Sequence, residues 1–287
     1  MKAKNLICAA AAALLLAGSA AAQNLVIRID DIGSSHSANL ACIDAYRNGI
    51  AQSVEVMTVC PWFPEAVRLL NENPGLDVGV HLVLSSEWDG IKWGPLTKSP
   101  SLVDPDGYFW PKVTPSKKMP GMSLVEHGYS LDEIEAEFRA QIEMALKYIP
   151  QVTHLSGHMG SEAFSKEVSD LVTRLSAEYG LPAMDRWGSE EQYGYIYVKY
   201  DGPSDTPKQK IESLCKTVNA MEPGKSYMFL DHPAYDDEEM RGIKHLGYDD
   251  VGYDRQGVTD MMKSKKVRRL IENKGIRLVS FGELTKR

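Results

Sequence analysis

The chain has 287 residues, 43% hydrophobic and 25% charged, with a formal net charge of -7. This is the make-up of a globular protein with a sizeable core, not of a disordered or fibrous one. The excess of acid over base argues against nucleic acid as a partner, because phosphate recognition needs a basic footprint.

The first 22 residues stand apart. Lys2 and Lys4 precede an alanine- and leucine-rich run, and Ala20, Ala21 and Ala22 supply small residues before Gln23, the pattern of a secretory signal peptide. The run is shorter than the roughly 20 apolar residues of a membrane span, so no span is expected in the mature chain and the expected location is secreted or periplasmic. Cleavage removes two lysines and no acid, which moves the formal charge from -7 to -9. Cys42, Cys60 and Cys215 remain, an odd number without CxxC spacing. They read as buried thiols with at most one bridge, neither a disulfide framework nor a thiolate zinc site.

Short apolar runs bounded by turn residues predict strands at 25–30, 53–59, 77–82, 152–156, 195–198, 226–231 and 276–280. Between them, helical patterns predict helices at 37–48, 64–73, 130–148, 162–179, 207–221 and 258–273. Strands that alternate with helices and are apolar throughout predict a parallel α/β sheet buried on both faces. No shift in composition marks a second domain, so residues 24–287 are read as one. The segment 85–129 breaks the rhythm, being rich in Pro, Gly, Lys and aromatic residues such as Trp88, Trp93 and Trp110. A loop of that length is usually functional or mobile. Its tryptophans would suit stacking on sugar rings; anchoring the loop on the barrel is the alternative.

In a parallel barrel the C-terminal strand ends converge on one face, which carries the active site. Asp30 and Asp31 end the first predicted strand, His81 ends "LDVGVHL", His154 and His158 lie in "VTHLSGHMG", and Asp231 and His232 end "YMFLDHPA". Each alone has a structural explanation. Together they are costly to keep for stability, because burying unpaired charge is expensive. A divalent metal with imidazole partners would make one aspartate a ligand and leave the other as a nearby base. Neighbouring strand residues point to opposite faces, so the pair can share one site only where the strand gives way to the turn at Ile32 and Gly33. Arg28, on the side of Asp30, could pair with that carboxylate; a purely structural ion pair is the alternative.

"IDDIG" followed by Asn39, then "VGVHL", "THLSGHMG", "DHPA" and the tail "DRQGVTDMMKSKKVRRLIENKGIRLVSFGEL" together resemble the YdjC-like carbohydrate deacetylases, a group that includes chitooligosaccharide deacetylases. The likeness spans nearly the whole mature chain. It implies a distorted (β/α) barrel of the glycoside hydrolase/deacetylase type, related to polysaccharide deacetylases, with one divalent metal held by an Asp and two His. Carried over, Asp31, His81 and His158 are the expected metal ligands, Asp30 the catalytic base and His232 the general acid. The implied reaction removes acetyl groups from an N-acetylated oligosaccharide. The metal would polarise the carbonyl and lower the pKa of a bound water while Asp30 takes the proton and His232 protonates the amine. An Asp with two imidazoles suits zinc first, and nickel or cobalt; magnesium is not excluded.

One motif departs from the family. Where relatives usually read Asp-Ser-His-x-His, this chain has Ser156, Gly157, His158, Met159 and Gly160. The groups that orient a ligand tune metal affinity, so Ser156 is expected to weaken the centre, and loss of the last His to enlarge the pocket or change the substrate. Arg28, Trp88, Trp93, Trp110 and His154 are candidates for substrate contact, His154 with a structural role as its alternative. His36 is a candidate at the rim, and His127 and His245 read as surface residues. A non-catalytic sugar-binding barrel, or a metallohydrolase of another amide or ester, stays open beside the deacetylase.

Overall fold

Strand β1 of the computed structural model runs Asn24–Ile32, followed by β2 Ser53–Val56, β3 Asp77–Leu82, β4 Val152–Gly157, β5 Tyr195–Val198, β6 Ser226–Asp231 and β7 Arg277–Leu278. The structure describes residues 23–184 and 189–286, so the expected signal segment lies outside the described residues. All strand pairs are parallel, in the order β4-β3-β2-β1-β6-β5, with β7 beside the start of β1. The sheet curls into a half-barrel, the distorted α/β barrel expected from the sequence.

The helices are α1 His36–Arg47, α2 Phe63–Asn71, α3 Leu124–His127, α4 Leu131–Tyr148, α5 Lys166–Tyr179, α6 Ser189–Tyr193, α7 Pro207–Ala220, α8 Glu238–Gly242, α9 Val251–Met262, α10 Lys265–Asn273 and α11 Phe281–Thr285. Their starts are written in the sequence: Ser35, Ser130, Ser165 and Thr206 each cap a helix by accepting a backbone N–H, which satisfies an otherwise orphaned donor. The helix expected over 258–273 is two helices. Ser264 caps a fresh start by accepting from the N–H of Val267, so the apolar pattern continues across a break in the backbone. The strand expected over 53–59 stops at Val56.

Alternation along the strands divides the labour. Leu25, Ile27, Ile29, Val54, Val56, Val78 and Val80 enter the main apolar core; fully burying such a side chain contributes about 1.5–3 kcal/mol. The other face turns into the barrel and carries Arg28, Asp30, Glu55, Asp77, His81, His154 and Ser156, all buried. With the outer face supplying the apolar core, the lumen is free to hold polar groups. Its floor is the C-terminus: Phe281 N–H donates to Ser53 Oγ at 2.9 Å and Gly282 N–H to Asp77 Oδ2 at 3.1 Å. Phe281 and Leu284 pack there with Val26, Tyr195 and Met228.

The insertion at 85–129 is anchored. Trp93, Leu102, Phe109, Val113 and Leu124 are buried in the main core, and the Glu137 carboxylate on α4 accepts the backbone N–H groups of Leu96 and Thr97 at 3.1 and 3.0 Å. Cys42, Cys60 and Cys215 are free and buried.

Candidate active site and metal centre

The two adjacent aspartates share a site because the backbone twists at Asp31 itself. Asp31 has φ 76°, and the β1–β2 register shifts between Ile29 and Ile32. A non-glycine residue in the left-handed region costs roughly 1–2 kcal/mol, and here it turns the second carboxylate to the side of the first, so that both line one cavity. The break comes one residue earlier than the Ile32–Gly33 turn expected from the sequence, and the strand resumes at Ile32. The loop beyond holds the twist: Ser34 donates to the Asp31 carbonyl from N–H and hydroxyl, and Gly33 N–H donates to Asn39 Oδ1 at 2.6 Å. Gly33 has φ 104°, and a Cβ there would lie 2.8 Å from the Met57 carbonyl oxygen.

Asp31, His81 and His158 converge, each offering a ligand atom within 4.8 Å of the others. His158 Nδ1 lies 3.5 Å and His81 Nε2 3.7 Å from Asp31 Oδ1. Tetrahedral coordination with bonds of about 2.0–2.1 Å separates its ligands by roughly 3.4 Å. Asp31 Oδ1 is buried and makes no hydrogen bond, whereas Oδ2 accepts from Arg255 Nη2 at 2.9 Å. The free oxygen faces two ring nitrogens, a donor set that suits one divalent ion.

Each imidazole is gripped from behind. His158 Nε2 lies 3.0 Å from Glu87 Oε2, and His81 Nδ1 lies 2.8 Å from Ser156 Oγ, which donates to Glu55. Burial pulls His81 down to about 4. Burial would also lower His158, but Glu87 and Asp31 outweigh it and push that ring up to about 10. Burial would raise Asp31, yet His232 and Arg255 hold it well below the usual carboxylate range. Such opposed shifts within one cavity mark functional sites.

Asp30 is bound by both oxygens to Arg28, at 2.6 Å each, and its Oδ2 lies 4.0 Å from His232 Nε2. Behind His232 stands Asp231, 3.6 Å from Nδ1, which accepts from the Tyr200 hydroxyl at 2.6 Å. Burial would lower His232, but Asp31 and Asp231 raise it, favouring the protonated ring.

These groups line a cavity of about 610 Å³, within the range of small-molecule sites. Arg28 and Trp88 line it, Trp88 stacked with His245 at 5.3 Å and under the Arg255 guanidinium at 5.1 Å. The other substrate candidates stand elsewhere. Trp93 is buried with its indole N–H on the Ser85 carbonyl, and Trp110 stacks on His127 at 3.6 Å. His154 is fully buried against Glu55, its ring 2.8 Å from Oε1. These three do not line the cavity: hydrophobic packing and a buried ion pair claim them. His36 pairs with Glu65. His245, read as a surface residue, lines the cavity instead.

Sequence reasoning missed Glu55, Glu87 and Arg255. A carboxylate inside "SVEV" was the available signal for Glu55; Arg255 stood within the quoted tail but carries no local mark of a partner 224 residues away.

Residues 24–273 match the family model described as YdjC-like protein. A carbohydrate deacetylase of Halalkalibacterium halodurans is 31% identical over 230 residues, covering 78% of this chain and 90% of its own length. Another, of Brevibacillus brevis, is 27% identical over 275 residues, covering 91% and 99%. Among solved structures, a candidate cellobiose-phosphate cleavage protein of Enterococcus faecalis V583 superposes with a TM-score of 0.72 at 24% identity, covering 92% of this chain and 99% of that one. That structure has the same fold.

Proposed function

The chain belongs to the YdjC-like protein family, and on that footing we propose that it is a metal-dependent carbohydrate deacetylase, releasing acetate from an N-acetylated amino-sugar oligosaccharide. The observation that carries the reading is Asp31 Oδ1, buried, without a hydrogen bond, and facing a nitrogen of each of two histidines. The relatives named carbohydrate deacetylases support the substrate class.

Asp31, His81 and His158 would hold one divalent ion, zinc by the preference of this donor set. When bound it would supply Lewis-acid polarisation of the acetyl carbonyl and acidify a water molecule. Asp30, oriented by Arg28, takes the proton of the attacking water. His232, backed by Asp231, gives a proton to the departing amine. The two lie 4.0 Å apart on one cavity, which supports their acting on one scissile amide. Trp88 lines the wall of the cavity with its ring packed against His245 and Arg255. Export is part of the proposal, supported by Lys2, Lys4 and the apolar run after them; no helix among the described residues is long and apolar enough to cross a membrane.

The test is acetate release from N-acetylglucosamine oligomers by metal-stripped protein resupplied with zinc, magnesium, cobalt or nickel, beside Asp30→Asn. Turnover that needs both metal and Asp30 is expected. Sugar binding without turnover under every metal, or hydrolysis of simple esters only, would overturn it.

A further inference from the structure

Glu55 sits inside β2 with no solvent exposure. A buried carboxylate is costly unless its oxygens are partnered, and these are. Oε2 accepts from the Ser156 hydroxyl; Oε1 lies 2.8 Å from His154 Nε2 and 3.3 Å from Arg28 Nε. Gly79, its register partner on β3, leaves the room: a Cβ there would run into the Glu55 carboxylate and the His154 ring.

Counting protons along this chain fixes its direction. A carboxylate only accepts, so the single hydroxyl proton of Ser156 goes to Glu55. The Ser156 oxygen must then accept from His81 Nδ1, 2.8 Å away. The neutral His81 ring therefore carries its proton on Nδ1 and a lone pair on Nε2, the atom facing Asp31.

We propose that Glu55, acting through the Ser156 hydroxyl, is the positioning residue for His81 and sets how tightly Asp31, His81 and His158 hold a divalent metal. The proposal rests on the metal-centre reading above and adds to it a strand that carries no ligand. Outer partners of ligating histidines fix tautomer and ring orientation, and losing one typically weakens metal binding about 10–100-fold.

The test titrates zinc into the metal-stripped full chain against a competing chelator, for wild type, Glu55→Gln, Ser156→Ala, the double variant and Ser156→Thr. Thermal unfolding and long-range proton–nitrogen NMR of His81 accompany each titration. Ser156→Ala breaks the relay while Glu55 Oε1 keeps its Arg28 and His154 contacts, and thermal unfolding reads separately what the loss of the Oε2 partner costs the fold. Both single variants are expected to weaken zinc binding about 10–100-fold, the double variant no more than the worse single, with Ser156→Thr near wild type. In Ser156→Ala the His81 spectrum should lose its single Nδ1–H form. Unchanged zinc affinity and tautomer in Ser156→Ala would overturn the proposal, even if its melting temperature fell. A wild-type chain that takes up no divalent metal would overturn the metal-centre reading, and the proposal with it; wild-type uptake matched by every variant overturns the proposal alone.

Discussion

Arg28 holds Asp30 by both carboxylate oxygens, Nε to Oδ1 and Nη2 to Oδ2, at 2.6 Å each. That fork fixes the plane of the carboxylate as well as its charge. Lysine keeps the charge but offers a point donor in place of a planar pair. Arg28→Lys should therefore lower kcat for deacetylation about 10–100-fold, part of the 10²–10⁴-fold that a positioned base supplies. KM and zinc affinity should stay close to wild type. Steady-state kinetics beside a zinc titration checks this, and a parallel loss of zinc affinity would relocate the role of Arg28 to the metal centre.

Glu87 stands in the loop beyond β3, and its carboxylate lies 3.0 Å from His158 Nε2. Glutamine keeps an acceptor oxygen but loses the charge that makes the bond to the ring strong, and its amide NH2 can turn toward the ring instead. For Glu87→Gln, zinc affinity should fall about 10–100-fold, and activity lost at low zinc should return as zinc is raised. Activity that stays low at saturating zinc would show that Glu87 touches the substrate instead.

The backbone at Asp31 offers a test of strain separate from chemistry. Asparagine tolerates the left-handed region, whereas a β-branched residue does not. Asp31→Asn should fold with near wild-type stability in metal-free solution and fail to retain zinc. Asp31→Val should lose zinc and, beyond that, be about 1–2 kcal/mol less stable than Asp31→Asn. Denaturant unfolding of the two metal-free variants decides the matter; equal midpoints would mean that the twist survives any side chain.

Burial would raise the Glu55 carboxyl, but His154 and Arg28 hold it below its ordinary value of 4.5. A depressed folded-state pKa contributes stability that is complete above the unfolded value and lost as the pH falls through the folded one. In metal-free protein the melting temperature should therefore fall on acidification below about pH 4.5, and fall less steeply in Glu55→Gln, which has no proton to gain. Parallel curves for the two proteins would exclude Glu55 as a contributor to the acid limb.

The strands were legible because continuous apolar runs between turn residues have few other uses, and the polar residues at their ends marked the mouth of the barrel. Most of what was not legible shares one cause: a partner far away in the chain. Ser156 reads as a lost carboxylate, and only the folded sheet brings Glu55 behind it, from 101 positions earlier. Glu55 looks like an exception in an apolar run until His154 and Arg28 are seen around it. For Trp93 and Trp110 sugar stacking and anchoring on the barrel both stayed open, because composition does not say which way a loop folds; Trp93 packs in the main core and Trp110 stacks on His127. The helix over 258–273 was drawn as one because its periodicity survives the break that Ser264 caps.

The floor of the lumen has a consequence for biogenesis. β1, which carries both aspartates, pairs with residues as late as Leu278, and the donors that meet Ser53 and Asp77 come from Phe281 and Gly282. Contacts this distant in sequence form late and slowly. The strand that bears the chemistry can thus pair with β2 early, but its other edge stays open until β6 and β7 have been made, so the lumen closes late in folding.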